Sequence, residues 1–170
     1  IMQITEDSSK KLWVCGVYDS FAFTASFNRE ENTWTKYKIF PSNVPFESIL
    51  PVDDDEIWLG LEQGDGLFKW NPESNVSIKY STADGLSGNG IEKVVQDYSG
   101  NLWIATRSGL SMFNGQSQEF SKVSLSQNSD DKSIDLLPIE DLCVDGHYLW
   151  IAVENGGVSR LHIPTGTISS

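Results

Sequence analysis

At 170 residues the chain is the size of one domain or of an array of small repeats, and 39% apolar content with six Trp is enough to build a core and too much for disorder. Twelve Lys and Arg against 24 Asp and Glu leave a net charge of −12, which disfavours nucleic acid and anionic membrane as partners, because both call for a basic surface. Apolar runs last only a handful of residues, so no transmembrane helix is expected, and the opening at Ile1 without a signal peptide reads as a processed or excised piece.

In chain order, four similar units appear. The first has Ile4, Asp7, the run Lys11-Leu-Trp-Val-Cys-Gly, an apolar stretch over 21–27 and a short strand over 34–39. The second has Ile49-Leu-Pro-Val52, Asp53, Glu56-Ile-Trp-Leu-Gly-Leu, then segments over 66–70 and 77–80. The third has Val94-Val95, Asp97, Asn101-Leu-Trp-Ile-Ala-Thr, then 109–113 and 119–123. The fourth has Leu142-Cys-Val144, Asp145, Tyr148-Leu-Trp-Ile-Ala-Val, then 157–163 and a weak 167–170. Trp13, Trp58, Trp103 and Trp150 are spaced by 45, 45 and 47 residues. The residue two after each Trp is small (Cys15, Gly60, Ala105, Ala152), which suits a position squeezed between sheets.

Each unit reads as four short strands separated by Gly, Asn, Asp and Ser turns, and no window carries a capped 3.6-residue stripe. Four antiparallel strands per unit of about 45 residues is the arithmetic of a β-propeller blade. The predicted fold is therefore all-β, with four four-stranded blades arranged radially over about 3–39, 46–80, 91–123 and 138–169 of one segment, 1–170. Every strand belongs to one of the four, and four blades is the lower limit for a ring. We read the chain as part of a larger propeller whose apolar end faces would self-associate or meet further blades. The four Trp, Trp150 included, are expected in the core, and Cys15 and Cys143 as buried thiols.

The third unit, Asp84-Gly-Leu-Ser-Gly-Asn89, Ile91, Val94-Val-Gln-Asp97, Gly100-Asn-Leu-Trp-Ile-Ala-Thr106 and Gly109-Leu-Ser-Met-Phe-Asn114, resembles the two-component regulator propeller repeat. Unit two departs from it with Asp54-Asp-Glu56 at the Gly-Asn turn, unit one with Ser8-Ser-Lys-Lys11, and unit four with an enlarged lead-in, Ser124–Ser133. The resemblance implies the sensor half of a hybrid two-component system, outside the cytoplasm and most often periplasmic, responding to glycan fragments.

The sequence carries no catalytic or metal-binding motif. His147 and His162 lack ligand spacing with Cys or carboxylates, and no phosphate loop, nucleophile elbow or zincin motif occurs. Asp53-Asp-Asp-Glu56 and Asp130, Asp131 and Asp135 read as solvated acidic loops without EF-hand spacing. No catalytic residue, metal or cofactor is assigned. Trp34, Trp70 and Tyr18 sit less regularly and are candidate surface platforms. The leading reading is a non-enzymatic module sensing an oligosaccharide or other small ligand; the alternatives are a protein-interaction scaffold and a propeller lyase with carboxylates in its funnel.

In a propeller the blade lead-ins and the turns between second and third strands share one rim. Here that rim carries Tyr18 and Asp19, Glu62, Gln63 and Asp65, Arg107, and Glu154 and Asn155, with Asn43, Asn89 and Asn128 in the lead-ins. These vary between units whose scaffold repeats, as expected where loops carry function on a rigid frame. Carboxylates and amides suit sugar hydroxyls, Arg107 a carboxylate or sulfate, and Tyr18 stacking.

Overall fold

The computed structural model describes residues 2–18, 21–37, 46–61, 63–126 and 133–169. Sixteen strands form four sheets, each a four-stranded antiparallel meander in chain order. Sheet I holds β1 (Gln3–Glu6), β2 (Leu12–Tyr18), β3 (Phe21–Asn28) and β4 (Thr33–Tyr37); sheet II holds β5 (Phe46–Pro51), β6 (Ile57–Leu61), β7 (Gly66–Asn71) and β8 (Val76–Tyr80). Sheet III holds β9 (Ile91–Gln96), β10 (Leu102–Thr106), β11 (Gly109–Asn114) and β12 (Glu119–Val123); sheet IV holds β13 (Ile139–Asp145), β14 (Tyr148–Val153), β15 (Gly157–His162) and β16 (Thr167–Ser169). The only helical pieces among the described residues are two single 3-10 turns, Thr82–Asp84 and Ser133–Leu136.

Turn chemistry sets the hairpins. Between third and fourth strands each sheet uses a four-residue turn whose last residue has positive φ: Asn32, Asn75, Gln118 and Gly166. The turn opens on Asn28, Asn71 or Asn114, whose Oδ1 accepts backbone N–H groups two or three residues on. In sheet IV His162 takes that place, its Nδ1 2.8 Å from Thr165 Oγ1, so this histidine serves a turn.

Alternation along β10 shows how the sheets stack. Leu102 and Ile104 point one way, into a core with Trp58 and Leu67 of sheet II; Trp103 and Ala105 point the other way, among Leu142, Leu149 and Ile151 of sheet IV. Both faces of the strand are buried, as a radially stacked sheet requires. The small residue two after the tryptophan leaves room for a side chain of the next sheet: a Cβ added at Gly60 would lie 2.5 Å from Ile91 Cγ2.

Three of the tryptophans are latched. Asp7 Oδ2 accepts Trp13 Nε1–H at 2.8 Å while its Oδ1 accepts the amides of Ser9 and Lys11, closing the first turn. Asp97 does the same for Trp103, Ser99 and Asn101. In sheet II Glu56 takes over, accepting Trp58 Nε1–H at 2.7 Å and pairing with Lys69. The acidic turn is thereby accounted for: Asp53 holds the amide of Asp55, and Asp54 pairs with Lys11 across the seam.

Three expectations fail here. Trp150 is 39% exposed, against 4% for Trp103, because it points out of the back of sheet IV, where no further sheet stands among the described residues. Cys143, on the same face, is exposed; Cys15 is buried as read. Trp70 is no platform but 1% exposed, edge-on to Trp13. The four sheets do not close on themselves, since Ile4 and Trp34 on the front of sheet I are also exposed.

Candidate functional site

The motif leading into sheet III builds one edge of the rim. Ser81 and Asp84 form a capping box over the 3-10 turn, with Ser81 Oγ accepting the Ala83 amide and Asp84 Oδ2 accepting the Ser81 amide. Gly85 follows at φ 109°, where a Cβ would meet the Phe120 backbone, so the chain turns and drops Leu86 into the core between sheets II and III. Asn89 Oδ1 then accepts the Thr82 amide. The lead-ins are tied to the turns between second and third strands by backbone bonds: Gly66 N–H to Asn89 O, Arg107 N–H to Gly90 O, and Glu154 N–H to Pro138 O. Lead-ins and these turns thus share one rim.

Of the sequence-predicted site residues, Asp19 and Glu62 lie outside the described residues, as do Asn43 and Asn128, and for Tyr18 only the strand position is described. Gln63, Glu154 and Asn155 are exposed in their turns, Asn155 at φ 55°. Asp65 pairs with Lys79 at 3.3 Å. Arg107 Nε donates to Glu92 Oε1 at 2.6 Å, so the arginine is held toward the inner strand β9 and its direction is fixed. Asn89 is a structural ligand of the lead-in. The rim therefore brings Arg107 beside sheet III's lead-in and leaves Asp65 and Glu154 in separate turns of sheets II and IV.

Two features escaped the sequence reading. The first is a cleft of about 300 Å³ on this rim, lined by Ser87, Ser108, Lys122, Val123, Ser124, Asp135 and Leu136. Asp135 organises one wall, accepting Ser124 Oγ–H at 2.7 Å and the Leu125 and Ser126 amides. Ser87 is fixed opposite by Leu110 O and Ser111. Ser108 directly follows Arg107, so cleft and arginine adjoin. The signal was present in the lead-in motif and in the enlarged stretch over 124–133. The second is a recurring bulge on the inner strands. The pairing skips one residue at Glu47, Glu92 and Glu140, between Phe46 and Ser48, Ile91 and Lys93, and Ile139 and Asp141. A bulge re-aims the extra side chain, and here that residue is glutamate in three sheets. Among the described residues no group of His, Cys, Asp and Glu is arranged to hold a metal.

Comparison with known proteins agrees with this architecture. Residues 85–108 match the family model described as two component regulator propeller. No curated protein matches the chain in sequence. The extracellular domain of BT4673 from B. thetaiotaomicron, described as a hybrid two component system, superposes with a TM-score of 0.72 at 20% identity, over 99% of this chain and 23% of that one. Streptogramin B lyase gives 0.68 at 11% identity over 99% and 53%, and virginiamycin B lyase from Staphylococcus aureus 0.66 at 14% over 98% and 53%. The chain thus spans about a quarter of the BT4673 domain. At these identities the likenesses establish the fold.

Proposed function

We propose that this chain, a β-propeller segment carrying a two component regulator propeller repeat in its third sheet, is a non-enzymatic ligand-sensing module of an extracytoplasmic, periplasmic-type sensor. The observation that carries the reading is the contrast on one molecule between a repeated scaffold and a rim that differs in every sheet. Arg107, held by Glu92, and the hydroxyl-lined cleft with Lys122 supply directional donors to a ligand rich in hydroxyl and carboxylate groups, such as an oligosaccharide fragment. Gln63, Asp65, Glu154 and Asn155 stand on the same rim for further hydroxyl contacts, and we assign Tyr18, Asp19 and Glu62 to it from the sequence.

The proteins named as lyases share the fold with this chain at 11–14% identity, which carries no activity over to it. A thermal-shift series with neutral, uronic and sulfated oligosaccharides tests the reading. A saturable rise in Tm with one class supports it, because a ligand that binds only the folded state stabilises it by mass action. Release of a new reducing or unsaturated end from any of them overturns it in favour of an enzyme.

A further inference from the structure

One register position of the outer strands carries a lysine in three sheets. Lys36 pairs with Ala25, Lys79 with Phe68 and Lys122 with Ser111. Ala25, Phe68 and Ser111 in turn pair with Val14, Leu59 and Ile104, the residue after each sheet's tryptophan, so the three lysines are equivalent. In sheet II the ammonium is answered from within the chain. Asp65, which closes the turn before Gly66, sets its Oδ1 3.3 Å from Lys79 Nζ. In sheet III that turn is Arg107-Ser108, and the residue before Gly109 is a serine. A hydroxyl carries no charge, and Lys122 has no counter-ion among the described residues.

Ser108 and Lys122 both line the cleft of about 300 Å³ on the rim of sheet III. The cleft's own carboxylate does not neutralise the lysine. Asp135 turns its oxygens to the Ser124 hydroxyl and to the Leu125 and Ser126 amides. Ser87 is engaged by Leu110 O and Ser111. The cleft therefore offers a primary ammonium, the Ser108 hydroxyl, and the apolar surface of Val123 and Leu136, the latter 72% exposed. An ammonium only donates, so its complement is an acceptor that bears negative charge.

We propose that this cleft seats the carboxylate of an acidic sugar, a uronate, beside Lys122, as the Asp65 carboxylate sits beside Lys79. Sheet II shows the pair filled by the chain itself, and sheet III shows it open to a ligand. Ser108 hydrogen-bonds a sugar hydroxyl, and Val123 and Leu136 cover the C–H face of the ring. Lys122 is then the residue that selects an acidic over a neutral sugar, in a chain whose net charge of −12 gives anions no general attraction. The inference rests on the sensing role assigned to this rim and names its substrate class.

Isothermal titration of the 170-residue chain with a uronic-acid oligosaccharide, its methyl ester and a neutral oligosaccharide of the same length tests it. The acid is expected to bind saturably. The ester keeps the shape without the charge and is expected to bind about tenfold more weakly, the scale of one charge-assisted hydrogen bond. Lys122→Met keeps the stem of an exposed side chain and should bring the acid down to the level of the ester. Ser108→Asp rebuilds the sheet II pair within the chain and should do the same while the parent's Tm is kept or raised. Lys36→Met, at the same register in sheet I, should leave acid binding at the parent's level. Equal binding of acid and ester, a preference for the neutral sugar, or unchanged acid binding in Lys122→Met and Ser108→Asp overturns the inference and leaves the sensing role standing. Binding of none of the three saccharides overturns both.

Discussion

Trp103 and Trp150 sit in nearly identical sequence contexts, Leu-Trp-Ile-Ala, on equivalent strands. One is latched by Asp97 and covered by sheet IV; the other stands on an open face under an arginine. The contrast separates what a strand motif dictates from what a neighbour dictates. The motif fixes the strand, its face and its pairing. Burial comes from the next sheet, so it is a property of position in the stack. The latch differs for a local reason. The turn before Trp103 has four residues between Asp97 and the strand, long enough for the carboxylate to fold back on the indole. In sheet IV Asp145 pairs directly with Tyr148 across a two-residue turn and is exposed.

The largest effect that would sharpen this contrast is in the middle of the stack. Trp58 is fully buried between Tyr80, stacked at 5.6 Å, and Phe113 at 5.2 Å. Trp58→Ala is expected to cost about 3–5 kcal/mol in urea unfolding, the range for a truncated core aromatic. A loss under about 1 kcal/mol would mean that the seam is not packed as described. Next come the latches. Asp97→Ala removes the acceptor of Trp103 and of two turn amides and should cost about 1–3 kcal/mol, whereas Asp145→Ala should stay within about 0.5 kcal/mol, as for an exposed side chain without such a role. Equal losses would show that the latch carries no weight.

Thiol chemistry reads the same contrast without a stability measurement. Cys15 is buried behind Phe46, and burial pushes its pKa up to about 12. A thiol reacts as its thiolate, so Cys15 should resist iodoacetamide at pH 8 until the chain unfolds, and Cys143 in dilute protein should react at once. A chain in which both are protected at all dilutions would place another surface over sheet IV. The smallest effect is expected on the rim. Arg107→Ala should leave Tm within a degree or two of the parent, because exposed substitutions stay within about 0.5 kcal/mol, while weakening the response to the oligosaccharide that stabilises the parent. Unchanged binding would move the site away from sheet III's rim.

Much of this was legible before the structure. Tryptophan spacing, alternating apolar positions and Asn- or Gly-bearing turns define the strands, because each acts within a few residues. The lead-in motif was also visible, since Asp84, Gly85 and Leu86 each do something local: cap, turn and plug. The exposure of Trp150 and Cys143 was not, because the same motif is silent on whether a sheet follows. The cleft at Ser108 and Asp135 was only hinted at, by the lead-in motif and the enlarged stretch over 124–133, because its walls come from four stretches 11 to 21 residues apart. The Arg107–Glu92 pair was hidden for a similar reason: a bulge in β9 turns Glu92 toward a loop 15 residues on.

Sheets III and IV are alike in sequence and unlike in burial, and one pair of variants tests that directly. Trp103→Ala and Trp150→Ala should be unfolded in urea side by side, at a dilution where the parent is monomeric. Trp103→Ala is expected to lose about 3–5 kcal/mol, and Trp150→Ala less than half as much, with its 39% exposure and no carboxylate latch among the described residues. Equal losses would contradict the account, since they would mean that the back of sheet IV is covered within the single chain.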